Sequence, residues 1–286
     1  MRKGIILAGG NGTRLYPLTK NISKHLLPIY DKPMIYYSLS LLMLADIKEI
    51  LIISRERDLK DYQGYFSDGT HLGMNISYAT QNRPGGIPEG LLIAENFIDG
   101  SDICMVLGDN ILIGNGIQSQ LLDASHKMET SIFVKQVPDP ERFGVLTFKD
   151  NQPDKVIEKP KNYVSDLAVL GLYFLPNKSI SVAKTLTPSQ RGELEIADLL
   201  NILISDGNLN VNELSRGVAW FDAGTPNAMI EVSQFIHTLQ SKQRDKIACI
   251  EEIALRMGFI TKSQIRNLTD GMPRSPYSNY VKALDV

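Results

Sequence analysis

Close to the start of the chain, Gly9, Gly10 and Gly12 are followed by Arg14, Lys20 and Lys24, and no aspartate or glutamate interrupts the stretch from Gly4 to Ile29. Glycines at the end of a strand let backbone N–H groups approach an anion closely. Arginine adds a rigid fork for phosphate oxygens, and lysine adds a mobile point charge. Together they suit the holding of a polyphosphate by Arg14 and Lys24, with Lys20 left on the surface. The spacing is not that of a dinucleotide fingerprint, because Leu15 stands where the third glycine belongs. Nor is it a P-loop, because no Gly-Lys-Ser/Thr follows.

Acids come later. Asp109 closes the apolar run MVLG, and Asp222 closes AWF ahead of a small-residue turn. A carboxylate facing a triphosphate repels it unless a cation intervenes, so a hard oxygen ligand for Mg²⁺ fits both positions; a turn-capping aspartate is the plain alternative. In VIEKP, Glu158 and Lys159 are adjacent. Neighbouring strand residues point to opposite faces, so both reach one ligand only where Pro160 ends the regularity; otherwise they form a surface ion pair. Glu193 lies among Arg191, Glu195 and Asp198, which could equally form a charge network at a helix start.

The elements that must position these residues alternate. Continuous apolar runs at 4–8, 49–54, 75–80, 102–108 and 131–137 read as strands covered on both faces. Helical patterns such as PMIYYSLSLLMLADI and PEGLLIAENFI lie between them. The expectation is an α/β fold: a Rossmann-like, three-layer, mixed and mostly parallel sheet with helices on both faces. Ligands then bind at the carboxyl ends of the strands, where the loops after Ala8, Thr80 and Leu107 converge. From about 140, RFGVLTF, DKVIEKP and LAVLGLYFLP follow at short intervals, predicting antiparallel additions. Residues 1–226 read as the α/β domain, and 227–286 as a helical extension packed on it.

With 286 residues, 43% hydrophobic, the chain has ample material for a core. A net charge of −2 argues against a basic nucleic-acid face. Cys104 and Cys249 lack metal-ligand spacing and read as buried thiols of a reducing cytoplasm. The first apolar run is too short for a signal peptide, and no stretch reaches membrane-span length. His71, His126 and His237 read as structural or surface residues, and only His25 falls near the expected site.

LAGGNGTRLYPLT followed by SKHLLPIYDKPMIYY resembles the sugar-1-phosphate nucleotidyltransferases. The likeness continues in order through LGDN, DPERFGV, EKP, GLYF, RGELEIADL, WFDAGT and CIEEIALRMGFI, over nearly the whole chain. It implies transfer of a nucleoside monophosphate from dTTP, or alternatively UTP, to a hexose-1-phosphate, with glucose-1-phosphate the expected acceptor and pyrophosphate released. It implies that Leu7, Gly9, Gly10, Gly12, Thr13, Arg14, Gln81, Gly86 and Asp109 bind the nucleotide. Gly144, Glu158, Lys159, Val169 and Glu193 then bind the sugar phosphate, and Asp109 and Asp222 hold Mg²⁺. Arg14, Lys24 and Lys159 are the expected catalytic cations. A cytoplasmic homotetramer without nucleic-acid or membrane partners follows from the same resemblance. Rival readings are a nicotinamide-dependent dehydrogenase, which the basic loop disfavours, and a non-catalytic nucleotide-sugar sensor, which the joint presence of Arg14, Lys24, Asp109, Lys159 and Asp222 disfavours.

The sequence departs from the family pattern at four places. His25 replaces a glutamine, GIPEG (86–90) replaces Gly-Leu-Ala-Gln-Ala, Phe143 replaces a tyrosine, and Leu170 replaces a threonine. All four are expected where base and sugar identity are read. Glu89 is expected to turn away from the base or to cap the helix start.

Overall fold

The computed structural model describes residues 2–127, 129–207 and 209–285. Among the described residues thirteen strands are formed: β1 (Arg2–Ala8), β2 (Pro28–Ile29), β3 (Lys32–Pro33), β4 (Glu49–Ser54), β5 (Asn75–Thr80), β6 (Asp102–Leu107), β7 (Asn110–Gly114), β8 (Thr130–Gln136), β9 (Gly144–Lys149), β10 (Gln152–Glu158), β11 (Leu167–Leu175), β12 (Leu209–Glu213) and β13 (Val218–Asp222). The helices are α1 (Ile35–Leu44), α2 (Leu59–Phe66), α3 (Ile87–Ile93), α4 (Glu95–Ile98), α5 (Ile117–His126), α6 (Ser179–Thr185), α7 (Ile196–Ser205), α8 (Pro226–Lys242), α9 (Ile250–Arg256), α10 (Lys262–Asp270) and α11 (Pro276–Lys282).

β1 is the sheet's centre, parallel to β4 on one side and β6 on the other, with β5 parallel beyond β4. β11 runs antiparallel to β6 and pairs on with β8, which carries β12 in parallel. The β9–β10 hairpin branches from β11 at Ala168. The continuous apolar runs are explained by two cores. Ile6, Ile52, Cys104 and Val106 face one, with Leu39 of α1, Phe66 of α2 and Leu121 of α5. Ile5, Ile53, Ile103 and Met105 face the other, with Leu91 of α3, Ile180 of α6 and Leu199 of α7. Each such fully buried side chain contributes about 1.5–3 kcal/mol, so strands loaded on both faces are driven to the centre.

The predicted PEGLLIAENFI helix is two helices, α3 and α4, meeting at Ala94. The C-terminal region is four helices, α8 to α11. Thr225 caps α8 through its side chain, with Pro226 at the first position, and capping boxes start α10 and α11. Ile250 and Ala254 of α9 share the core that contains Ile6. No helix among the described residues is long and apolar enough to cross a membrane.

One feature escaped the sequence reading. The residues right after Asp109 form β7, which pairs antiparallel with β13 so that Asp222 stands opposite Asn110. This separate ribbon, not the main sheet, carries the second strand-end aspartate.

Candidate active site

A cleft of about 840 Å³ opens at the carboxyl ends of β1, β5 and β6. Of the residues singled out above, it is lined by Leu7, Gly9, Gly10, Thr13, Arg14, Lys24, His25, Gln81, Gly86, Asp109, Phe143, Gly144, Glu158, Lys159, Val169, Arg191, Glu193, Glu195 and Asp222. Gly12 is not among them. It takes φ +61, and a Cβ there would lie 2.8 Å from Thr19 Cγ2. Its carbonyl accepts from Thr19 Oγ1 at 2.8 Å. Gly12 therefore closes the loop against Thr19 and does not itself line the cleft. Lys20 is exposed and outside the cleft.

The loop is pinned by buried Leu15, which leaves Arg14 projecting. Among the described residues Arg14 has no ion-pair partner. Its guanidinium crosses Gly224, where a Cβ would come within 2.8 Å of Arg14 Nη2 and 3.1 Å of Asp222 Oδ1. Lys24 makes a largely buried ion pair with Asp109. Burial alone raises the Asp109 carboxyl, but Lys24 overrides it and holds the group down at about 2. Asp222 goes the other way. Burial and then the Asp109 charge push it above the usual carboxylate range, against the pull of Arg14, Lys24 and Arg142. One carboxylate is thus held low and its neighbour pushed up, so the two differ in how readily they give up a proton. Among the described residues no three His, Cys, Asp or Glu converge, so a metal here would have two protein carboxylates at most.

His25 is fully buried below the loop. Its Nδ1 meets Ser23 Oγ at 3.2 Å and Tyr62 OH at 3.4 Å. A Cβ on Gly108 would lie 2.6 Å from its ring. Burial, with the adjacent Lys24 charge, lowers its pKa to about 3, so it is neutral.

Gln81 donates from Nε2 to Glu89 Oε2 at 2.7 Å and to the Gly86 carbonyl at 3.3 Å. Arg83 Nε lies 3.2 Å from Glu89 Oε1. Glu89 does not line the cleft and the start of α3 has no side-chain cap; the carboxylate meets Gln81 and Arg83 instead. The carboxylate is drawn to the two donors beside it and fills the space over Gly85, where a Cβ would lie 2.0 Å from Oε2. Gly86 takes φ +93, and its missing Cβ would strike the Leu194 carbonyl at 2.0 Å. A backbone bond from Leu194 N to the Gly85 carbonyl, 2.9 Å, ties this loop to the opposite wall.

On that wall, Lys159 adopts φ +44. Left-handed backbone at a non-glycine residue costs about 1–3 kcal/mol, and here it overrides strand alternation. Lys159 Nζ comes back to 3.0 Å from Glu158 Oε1, and both side chains reach the cleft. Arg191 Nη2 lies 3.5 Å from Glu158 Oε1 and 2.7 Å from Glu195 Oε2. The anticipated charge network forms without Glu193, whose half-buried side chain lines the cleft. Of the family departures, His25, Phe143 and, in the 86–90 segment, Gly86 and Ile87 line the cleft, but Leu170 does not. Strand alternation sends Leu170 into the core with Ile6, while Val169 and Gly171 face the cleft.

Asn110, Arg142 and Trp220 also line the cleft and were not singled out. Asn110 Oδ1 accepts from Gly171 N at 3.0 Å and Trp220 Nε1 at 2.9 Å. Arg142 Nη2 stands 3.7 Å from Asp222 Oδ2. Asn110 follows Asp109 directly, and Trp220 is the chain's one tryptophan, two residues before Asp222; those adjacencies were the available signal.

Cations and two carboxylates thus meet in one cleft, and the chain belongs to the nucleotidyl transferase family, whose sequence model matches residues 3–238. It is a nucleotidyltransferase. It is 46% identical over 284 residues to glucose-1-phosphate thymidylyltransferase of Neisseria meningitidis, covering 99% of each chain. It is 42% identical over 283 residues to the enzyme of that name from Mycobacterium tuberculosis, covering 99% of this chain and 98% of that one. A solved Bacillus anthracis protein described as a glucose-1-phosphate thymidylyltransferase in complex with a sucrose superposes with TM-score 0.75 at 37% identity, covering 82% of this chain and 95% of that one. A UDP-glucose pyrophosphorylase complexed with UDP-glucose, at 22% identity and TM-score 0.74, covers 85% of this chain and all of that one and shares the fold.

Proposed function

We propose that the protein transfers a thymidylyl group from dTTP to glucose-1-phosphate, releasing pyrophosphate, with Mg²⁺ held by Asp109 and Asp222. The observation that carries this reading is the placement of Arg14, Lys24, Asp109 and Asp222 on one side of a single cleft and Glu158 with Lys159 on the other. Two carboxylates lining one cleft suit a divalent ion that takes its other ligands from water and phosphate oxygens. When bound, Mg²⁺ would supply charge neutralisation at the phosphates.

The chain's own residues have little covalent chemistry to perform. A sugar phosphate, with a second pKa near 6 like phosphoserine, is about doubly charged at pH 7 and already nucleophilic. Its oxygen bonds to the α-phosphorus as the bond to pyrophosphate breaks in line, so no general base is needed. What must be overcome is repulsion between two polyanions, and charge collecting on the leaving group. Arg14 presents an unpaired fork to the triphosphate. Asp109 holds Lys24 in place beside it through their ion pair. Lys159 steers the incoming phosphate, Glu158 and Glu193 accept from sugar hydroxyls, and Gly144 and Val169 shape the sugar wall.

A pyrophosphate-release screen tests the reading, crossing dTTP, UTP, ATP and GTP with several hexose-1-phosphates. The expected order is dTTP with glucose-1-phosphate first, UTP second, and purines negligible. One methyl is worth roughly 1–3 kcal/mol at most, so the first two should lie close. A preference for purines would overturn the base assignment, and no release with any pair would overturn the function. The same reading carries a cytoplasmic homotetramer without nucleic-acid or membrane partners, which light scattering checks as to mass.

A further inference from the structure

We infer that Glu89 is a positioning residue that fixes the amide of Gln81, and that it thereby makes the base pocket select pyrimidines with a protonated ring N3 over cytosine. The inference rests on the proposed function and concerns its nucleotide subsite.

The two partners of the Gln81 amide are both pure acceptors. A carboxylate at 2.7 Å and a backbone carbonyl at 3.3 Å have no hydrogen to give. The end of the amide that meets them must therefore be the NH₂. Both of its hydrogens are used there, one by Glu89 and one by Gly86. A flipped amide would set its carbonyl oxygen against a carboxylate oxygen, like charge against like, inside a side-chain pair that is mostly buried. The Gln81 carbonyl is consequently the only end left for a ligand. It lies over Gly9, where a Cβ would be 3.0 Å from Oε1. Gly9 and Gln81 both line the cleft. Among the described residues Oε1 accepts no hydrogen bond.

An amide that is free to rotate offers either a donor or an acceptor and reads no single ring edge. One locked with its carbonyl outward offers an acceptor alone. Thymine and uracil present N3–H to such an acceptor. Cytosine presents an unprotonated N3, so two lone pairs would meet, and a site built around a buried polar group rejects the mismatched partner far more strongly than it gains from the matched one. Guanine also carries a ring N–H, so its exclusion falls to size and not to Gln81. The structural price of the lock is small: Glu89 sits on α3, Gln81 directly follows β5, and the exposed Arg83 balances the carboxylate at 3.2 Å.

The test is the ratio of kcat/KM for dTTP over dCTP, with glucose-1-phosphate as acceptor. Glu89→Gln keeps the size but can donate as well as accept, so the Gln81 amide is no longer held. The expected result is a fall in the ratio of about tenfold or more, carried by KM with kcat little changed, on the scale of one hydrogen bond to a charged group. Because Glu89 acts through Gln81, the effect should vanish in a Gln81→Ala background, where adding Glu89→Gln should move the ratio less than about twofold. Should Glu89→Gln not fold, Glu89→Met, of similar length without an acceptor, is read in the same way. An unchanged ratio, or equal effects of the Glu89 variant with and without Gln81, would overturn the inference and leave the function standing. A wild-type enzyme that releases no pyrophosphate from dTTP or UTP would overturn both.

Discussion

The two walls of the cleft handle charge differently. On the wall proposed to hold the triphosphate, Lys24 and Asp109 are paired with side chains only 13% and 11% exposed, above a neutral, fully buried His25. On the wall proposed to hold the sugar, Lys159 and Arg191 are about half exposed, 49% and 45%, and share Glu158 and Glu195 in a wet network. The dry wall grows from the centre of the sheet, whereas the wet wall is built from the β9–β10 hairpin and the turn before α7. The lesson is one of electrostatic leverage. A desolvated charge is strong and costly to disturb, while solvated ion pairs contribute about 0–1 kcal/mol and can re-form around a ligand.

The largest expected effects separate the two dry aspartates. Asp109→Asn and Asp222→Asn should each lower turnover about 10²-fold or more, the scale of one strong electrostatic contact. Their stabilities should diverge in sign. Asp109→Asn strands Lys24 and should destabilise by up to about 3–5 kcal/mol. Asp222→Asn removes a charge that burial and Asp109 both oppose, so its thermal midpoint without added metal should hold or rise. Near-normal metal-dependent turnover in either variant would break the assignment.

Next come the two walls themselves. Arg14→Ala should raise the KM for the triphosphate about 10- to 10²-fold, and Lys159→Ala should do the same for the sugar phosphate, as lost charge-assisted hydrogen bonds would. Identical defects in initial-rate kinetics would mean that the walls do not divide the substrates.

A smaller effect is acid sensitivity confined to the dry wall. The His25 pKa falls from 6.5 to about 3 on folding, mainly by burial. Below pH 6.5 the unfolded chain takes up a proton there that the folded chain refuses. The resulting stability is present above 6.5 and is lost as pH falls toward 3. Chemical denaturation of His25→Gln should show a shallower decline through that window than the wild type. The smallest expected effect is the control: Lys20→Ala, exposed and outside the cleft, should leave both KM values within about twofold.

Much of this was legible in residue order. Apolar runs of five to seven residues separated by helical patterns determine a buried, mostly parallel sheet, because only strands covered on both faces carry such runs. A glycine turn with two cations after the first of them, and an aspartate closing another, bring these side chains to one cleft, since strand ends of such a sheet open into one crevice. What tertiary structure decided were the pairings across that crevice. The left-handed turn at Lys159 is invisible to a pattern that assumes alternating side chains. The reason for glycine at 86 is the Leu194 carbonyl, more than a hundred residues away in sequence, and Gly12 packs against Thr19. Leu170 faces the core because β11 packs with that face inward. Sequence periodicity records which face of an element is apolar, a local property. Which donor meets which acceptor depends on distances of about 3 Å between segments far apart in the chain, as between Asn110 and Trp220, and those exist only once the cores have closed.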